Sequence, residues 1–216
     1  MTKVPKSKKI IVYENLKKRI ITNALKPGDP LNEILLAKDL KTSKTPIREA
    51  LQQLEKEGLV ENIPGRGSFV SRFSFQDIRE LTEIREILEC DIIGKVAARG
   101  AFDLAEAMDI RRRFESSGGN ENKTAKTYIN AGDQIHAFIF SSFGNKKLME
   151  YYSGLQEQII RIRIFLSNRV DERRSSASFK EHLEIIDALI AKDPERAEKA
   201  MRTHLLSALE YLKEIV

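Results

Sequence analysis

LNEILLAKDLKTSKTPIREALQQLEKEGLVENIPGRGSFV, residues 31–70, decides the fold of the first third of the chain. Asn32 can cap a short helix over 33–40, because its side-chain oxygen accepts from first-turn N–H groups. Lys41-Thr42-Ser43 breaks that helix. A second helix then runs to Glu57, with Ser43 or Thr45 as its cap. Pro46 is tolerated in the first turn, where its missing N–H has no intrahelical partner, and Gly58 ends the helix. Ile47, Ala50, Leu51 and Leu54 fall on one face. LVENI (59–63) and SFVSRF (68–73) are short strand-like runs around the tight turn PGRG (64–67). Upstream, LKPGDPL (25–31) is a turn. Ile10–Asn23 reads as a helix with Ile11, Val12, Leu16, Ile20 and Ile21 at helical spacing, preceded by a disordered basic arm over 1–9. The order is helix, helix, turn, helix, hairpin.

Beyond Phe73 the pattern is wholly helical. Ser74 can cap a long helix whose stripe is Ile78, Leu81, Ile84, Leu88, Ile92 and Val96. Asp103 starts a second helix ending near Ser117, and GGNEN (118–122) is a loop. Further helices are predicted over 124–143, 146–170 and 175–191. A last one opens at Asp193-Pro194, an N-cap followed by proline. The fold class is therefore mainly α. Three helices and a small β-hairpin, residues 1–73, precede an all-α bundle of about six helices, residues 74–216.

The 216 residues are 41% hydrophobic and 32% charged, a globular composition. No stretch is apolar for long enough to cross a membrane, and no apolar segment of a signal peptide follows the basic N-terminus. The one cysteine, Cys90, cannot form an internal disulfide and fits a reducing cytoplasm. Its residue type suits a small core side chain. Charge is uneven: residues 1–74 hold 15 Lys+Arg against 8 Asp+Glu, whereas the remainder hold 22 against 24. A basic first third on a near-neutral remainder suits a polyanionic partner.

A helix-turn-helix lays the N-terminal end of its second helix in the DNA major groove. Here that end carries Ser43, Lys44, Thr45 and Arg48, which can reach phosphates or base edges. Arg66 stands at the tip of the hairpin, where a wing meets DNA. With TPIREAL, EGLV and PGRGSFV in this order, residues 10–72 resemble the DNA-binding domain of the GntR family. The resemblance implies a winged helix-turn-helix that binds palindromic double-stranded operator DNA as a homodimer. It implies contacts from Ser43, Lys44, Thr45, Arg48, Gly65, Arg66 and Gly67. The chain departs from the family in two places. Ile34 stands where a base-contacting Arg is frequent, and Lys41 stands where the helix-turn-helix turn usually has Gly.

The chain holds three histidines, His136, His182 and His204, each on the apolar face of a predicted helix. His136 shares a stripe with Ile129, Asp133, Phe140 and Phe143; His182 with Ile185, Ile186 and Leu189; His204 with Met201, Ala208 and Leu212. Asp133 and His136, at i and i+3, share a face. Singly, such histidines are hydrogen-bonded core residues; together with Asp133 they can form an N/O metal site. ELTEIREILE, DQIHAFIFSSFGN and EHLEIIDALIAKDPERAEKAMRTHL make residues 75–212 similar to the metal-binding FCD effector domain of FadR-type GntR regulators. That similarity implies metal ligands at Asp133, His136, His182 and His204, and an effector-lining position at Arg85. The family's aspartate usually sits four residues before the first histidine, which here is Gly132.

The expected protein is a cytoplasmic transcriptional regulator, a repressor, and not an enzyme. Its operator affinity would answer to a small organic acid bound at a divalent ion such as Zn or Ni. Two alternatives share the same residues: a metal-dependent enzyme using the Asp/His site, and a regulator whose histidines are structural and hold no metal.

Overall fold

The structure, a computed structural model, describes residues 7–118 and 125–215, and the side chains among them apart from 117–118, 125–131 and 168. Two compact units divide it. One comprises the chain up to Phe73 with Ile160–Phe165; the other comprises Ser74–Ile159 and the chain from Leu166 onward.

In the first unit the elements are α1 (Lys8–Ile21), α2 (Glu33–Asp39), α3 (Lys44–Lys56), β1 (Val60–Ile63) and β2 (Gly67–Val70). Of the arm expected over 1–9, the first six residues lie outside the described residues, and Lys8 and Lys9 belong to α1. Asn32 caps α2, accepting from the N–H groups of Ile34 and Leu35 at 2.9 and 3.2 Å. Ser43 occupies the cap position of α3 but makes no side-chain capping bond. Leu16, Ile20, Ile47, Leu54, Leu59 and Val70 form the sealed centre of this core. Burying one such side chain contributes about 1.5–3 kcal/mol. The strands pair antiparallel with Val60 opposite Val70 and Ile63 opposite Gly67. Gly65 and Gly67 have φ of 75° and 94°, the left-handed region in which a β-carbon is strained. Lys41 adopts that region too, at φ 48°, so the turn keeps the backbone glycine would supply at a cost of about 1–2 kcal/mol.

Six residues of a later helix, Ile160–Phe165, belong to this first unit, which a boundary at 73 does not anticipate. Phe165 packs edge-on to Phe73 at 5.1 Å, and Asn23 donates to the Arg161 carbonyl at 2.9 Å.

The second unit is built from α4 (Phe75–Arg99), α5 (Leu104–Gly118), α6 (Ala125–Phe143), α7 (Lys146–Leu166), α8 (Glu172–Ile190) and α9 (Pro194–Ile215). Ser74 and Asp77 close a reciprocal capping box at the start of α4, and Gly100, at φ 58°, ends it. The fourth predicted helix stops at Leu166 and tightens into a 3-10 turn over Ser167–Arg169; α8 starts at Glu172, capped by Asp171. The expected loop beyond Gly118 and the expected start at Thr124 lie outside the described residues. So does the side chain of Ile129. α4 packs on α6 and α9, α9 on α8, and α5 on α6 and α8. The core lies between them, with Ile93, Ile135, Ile139, Ile185 and Leu189 sealed. One member of the α4 stripe is misplaced by the sequence reading. Ile84 is 41% exposed, because the neighbouring inward positions belong to a charged pair, Arg85 and Glu89.

Candidate functional site

α6, α8 and α9 each send one histidine into the centre of the second unit. His136, His182 and His204 are all buried, and one ring nitrogen of each lies within 4.8 Å of the others. The rings of His182 and His204 are 4.2 Å apart, and that of His136 is 5.5 and 5.4 Å from them.

Hydrogen bonding decides which nitrogen faces the centre. His136 Nδ1 lies 2.6 Å from Glu89 Oε2, His182 Nδ1 lies 2.7 Å from the Ser178 carbonyl, and His204 Nδ1 lies 2.9 Å from Glu181 Oε2. A carbonyl and two carboxylates can only accept. Each Nδ1 therefore carries a proton, and a ring in its neutral form keeps its lone pair on Nε2. Nε2 of His136 is buried and makes no hydrogen bond. This is the tautomer a metal ligand needs, with the second ring nitrogen anchored by an acceptor behind it.

The acceptors are themselves held. Glu89 is 0% exposed and also takes Arg85 Nε at 2.6 Å, Arg85 Nη2 at 3.3 Å and the Tyr152 hydroxyl at 3.0 Å. Burial opposes its charge, but the Arg85 guanidinium and then His136 outweigh burial and hold its carboxyl well below the usual range. Arg85 is 6% exposed, so its guanidinium is committed to this pair. Glu181 is gripped by Arg174 through two bonds of 2.7 and 3.0 Å. Tyr152 stacks on Phe140 at 3.5 Å.

Asp133 sits one turn before His136 but does not join the histidine cluster. It is half-buried, and its charge acts on Arg85. Position 132 shows why no side chain reaches the cluster from there: a β-carbon on Gly132 would lie 2.7 Å from His182 Nε2. Glu89, Tyr152, Glu181 and Ser178 were not legible as site residues. The i, i+4 spacing of Arg85 and Glu89 is the one local signal that could have pointed to this pair.

In the first unit, Ser43, Lys44, Thr45 and Arg48 are exposed along the start of α3, and Gly65, Arg66 and Gly67 are exposed at the hairpin tip. Lys44, Arg48 and Arg66 line one open groove together with Ile34. Glu33 holds Arg48 bidentately, at 3.0 and 2.8 Å. Arg66 lies over the Phe69 ring at 5.9 Å.

Residues 80–207 match the FCD domain, and residues 10–70 match the family of bacterial regulatory proteins known as gntR. The chain is a GntR-family transcriptional regulator with an FCD domain. It is 30% identical over 187 residues to a protein named as a probable D-xylose utilization operon transcriptional repressor from Paenarthrobacter nicotinovorans, covering 84% of this chain and 78% of that one. It is 26% identical to the HTH-type transcriptional repressor RspR of Escherichia coli (strain K12), covering 94% and 88%. Its fold is similar to that of a transcriptional regulator GntR from Rhodococcus sp. RHA1, with a TM-score of 0.77 at 23% identity over 98% and 100% of the two chains. The matched relatives are regulators, and this GntR-family chain is a regulator and not an enzyme. No described helix is long and apolar enough to cross a membrane.

Proposed function

We propose that this regulator is a cytoplasmic repressor that binds a palindromic operator as a homodimer. A small carboxylate effector, bound at a divalent ion in the FCD domain, controls its operator affinity. The observation that carries the metal is the cluster: three buried histidines bring one ring nitrogen each within 4.8 Å of the others, with an acceptor behind each Nδ1. Neutral imidazoles crowded in this way suit a borderline cation such as Zn or Ni.

His136, His182 and His204 would hold the ion, which supplies a Lewis-acidic point for an anion. Glu89 and Glu181 fix the ring orientations. Three neutral ligands leave the divalent charge uncompensated, which favours an anionic effector. Arg85, buried and held by Glu89, would act on the site through that carboxylate. Asp133 is a weaker candidate than the sequence implied, since the cluster closes without it. The effector can shift operator affinity only as far as it binds one state of the dimer better than the other.

DNA contacts are assigned to Ser43, Lys44, Thr45 and Arg48 on α3 and to Gly65, Arg66 and Gly67 at the wing, all exposed. Elemental mass spectrometry on protein purified without chelator tests the metal. About one Zn or Ni per chain, lost in H182A and H204A, supports it. A metal-free protein that takes up neither ion makes the histidines structural. A gel shift on upstream DNA, repeated across salt, tests the regulator reading.

A further inference from the structure

Arg161, on α7, is 4% exposed, yet among the described residues no carboxylate pairs with it. Burial alone acts on its guanidinium, pulling it down to about 10, and its Nε is buried without a hydrogen bond. Buried charged groups are often replaceable by apolar side chains of similar volume without loss of stability. What a guanidinium adds is direction, because it is planar and its donors leave at fixed angles.

Here the donors act on the last residues before α4. Arg161 Nη2 donates to the Ser71 carbonyl, and the guanidinium lies over the Phe73 ring at 5.6 Å. The N–H of Ser71 donates to the carbonyl of Leu59, the residue before β1, at 3.1 Å. Ser71 is thus tied to the hairpin on one side and to α7 on the other. Asn23, just beyond α1, donates to the Arg161 carbonyl at 2.9 Å and holds a φ of 54° to do so. One turn along α7, Phe165 meets Phe73 edge-on. α7 is one unbroken helix, Lys146–Leu166, whose residues up to Ile159 belong to the second unit while Ile160–Phe165 belong to the first. The DNA-reading unit is therefore attached twice, by the chain through Ser74 into α4 and by the end of α7. A body on one tether swivels about it; a body on two does not.

We infer that Arg161 is a specificity-determining residue that sets the spacing between operator half-sites, by clamping the segment Ser71–Phe73 to α7. Buried as it is, it acts as a positioning residue for α3 and the wing. The inference rests on the homodimer and palindromic operator proposed above, and adds what fixes the distance between the two half-sites. One extra base pair between them moves them about 3.4 Å apart and turns one by about a tenth of a turn. Clamped reading units cannot follow that change, whereas units on a single short linker can.

The test uses the full-length protein. Its operator is selected from random duplex DNA, then resynthesised with one base pair inserted or removed at its centre. Affinities are read by fluorescence anisotropy at fixed salt. Wild-type binding should weaken at least about tenfold with either change, because only one half-site is then well engaged. Arg161→Met fills the same space with an unbranched apolar chain and should weaken less than about threefold over the same series. Its base preference within each half-site, read by a repeat selection, should match the parent. Relaxed spacing at unchanged base preference is a result that a general loss of stability does not produce. Asn23→Gly keeps the positive φ and removes the second tie, so it should move the same way and carries the test if Arg161→Met fails to fold.

Three results overturn the inference: folded variants keep the wild-type spacing penalty, the wild-type protein is indifferent to spacing, or Arg161→Met changes base preference, which would make the residue a support for α3. A selected operator without paired half-sites overturns the dimer reading and this inference together. It is distinguishable from the other failures because no spacing would exist to vary.

Discussion

His136 Nδ1 meets Glu89 Oε2 at 2.6 Å, with both residues almost sealed from solvent at 2% and 0% exposure. The contact joins α6 to α4 and fixes which nitrogen of His136 is left for a metal. Behind it, Arg85 and Tyr152 complete the coordination of the same carboxylate. A buried carboxylate with this set of donors is both a structural pin and an orienting group, so its removal should be read out twice.

Glu89→Ala leaves the Arg85 guanidinium buried without its carboxylate. Breaking one side of a buried pair costs about 3–5 kcal/mol. Urea unfolding should show a loss of that size. Glu89→Gln, which keeps the shape and an acceptor oxygen, should lose less. In the proposed metal site, loss of the acceptor behind His136 should also weaken metal binding about 10–100-fold, measured by competition with a chromogenic chelator. Unchanged metal affinity in a folded Glu89→Ala protein would remove Glu89 from the orienting role.

Metal binding should stabilise the chain by mass action, because the unfolded chain has no assembled site. At a free metal concentration about a hundredfold above the dissociation constant the gain is about 2.7 kcal/mol. Differential scanning fluorimetry should show a rise in Tm with Zn or Ni that chelator reverses. His204→Ala should lose the rise. An equal rise in that variant would place the metal elsewhere.

Gly132→Ala puts a methyl 2.7 Å from His182 Nε2, closer than packed atoms tolerate. The imidazole must move, and it is tied at Nδ1 to the Ser178 carbonyl at 2.7 Å. Metal affinity should fall at least about tenfold while the melting of the metal-free protein changes little, since the displaced group is a side-chain end. Wild-type affinity in Gly132→Ala would show that His182 relaxes without leaving the site.

Arg48→Ala should weaken operator binding about 10–100-fold, the range for loss of a direct base or phosphate contact. Glu33→Gln tests whether the bidentate pair at 3.0 and 2.8 Å orients Arg48. If it does, Glu33→Gln should relax sequence preference while leaving the salt dependence of binding almost intact. A pure gain in affinity for all DNA would instead make Glu33 a simple electrostatic brake.

Cys90 is 2% exposed, and burial pushes its thiol up to about 11, against a smaller opposite pull from Arg202. Its thiolate fraction at pH 8 is then roughly a hundredfold below that of a free cysteine. Ellman's reagent should label it slowly in the native protein and at once in urea. The native rate should still be rising with pH above 9, where a free cysteine has levelled off. A fast native phase at pH 8 would mean that the packing around α4 opens readily.

The two halves of the molecule were legible to different depths. The helix-turn-helix and its wing were readable because their signals are local. Asn32 caps the next turn, Gly65 and Gly67 supply positive φ, and Ile47, Ala50, Leu51 and Leu54 share a face by period alone. The three histidines could be placed on inward helix faces by the same periodicity. Periodicity reports which face is buried, not what it is buried against, and so it counted Ile84 inward and gave no sign of Tyr152.

The sequence by itself determined the order of the elements, the helix-turn-helix with its hairpin, and the supply of three histidines on inward helix faces. These depend on residues within a turn or two of one another. Only the tertiary structure decided that the histidines meet, that Asp133 stays outside their cluster, and that Glu89 and Glu181 set the tautomers. It also decided that no side chain fits at position 132. Those outcomes depend on how α4, α6, α8 and α9 pack across one another, where a shift of about one hydrogen-bond length changes which nitrogen a carboxylate can hold.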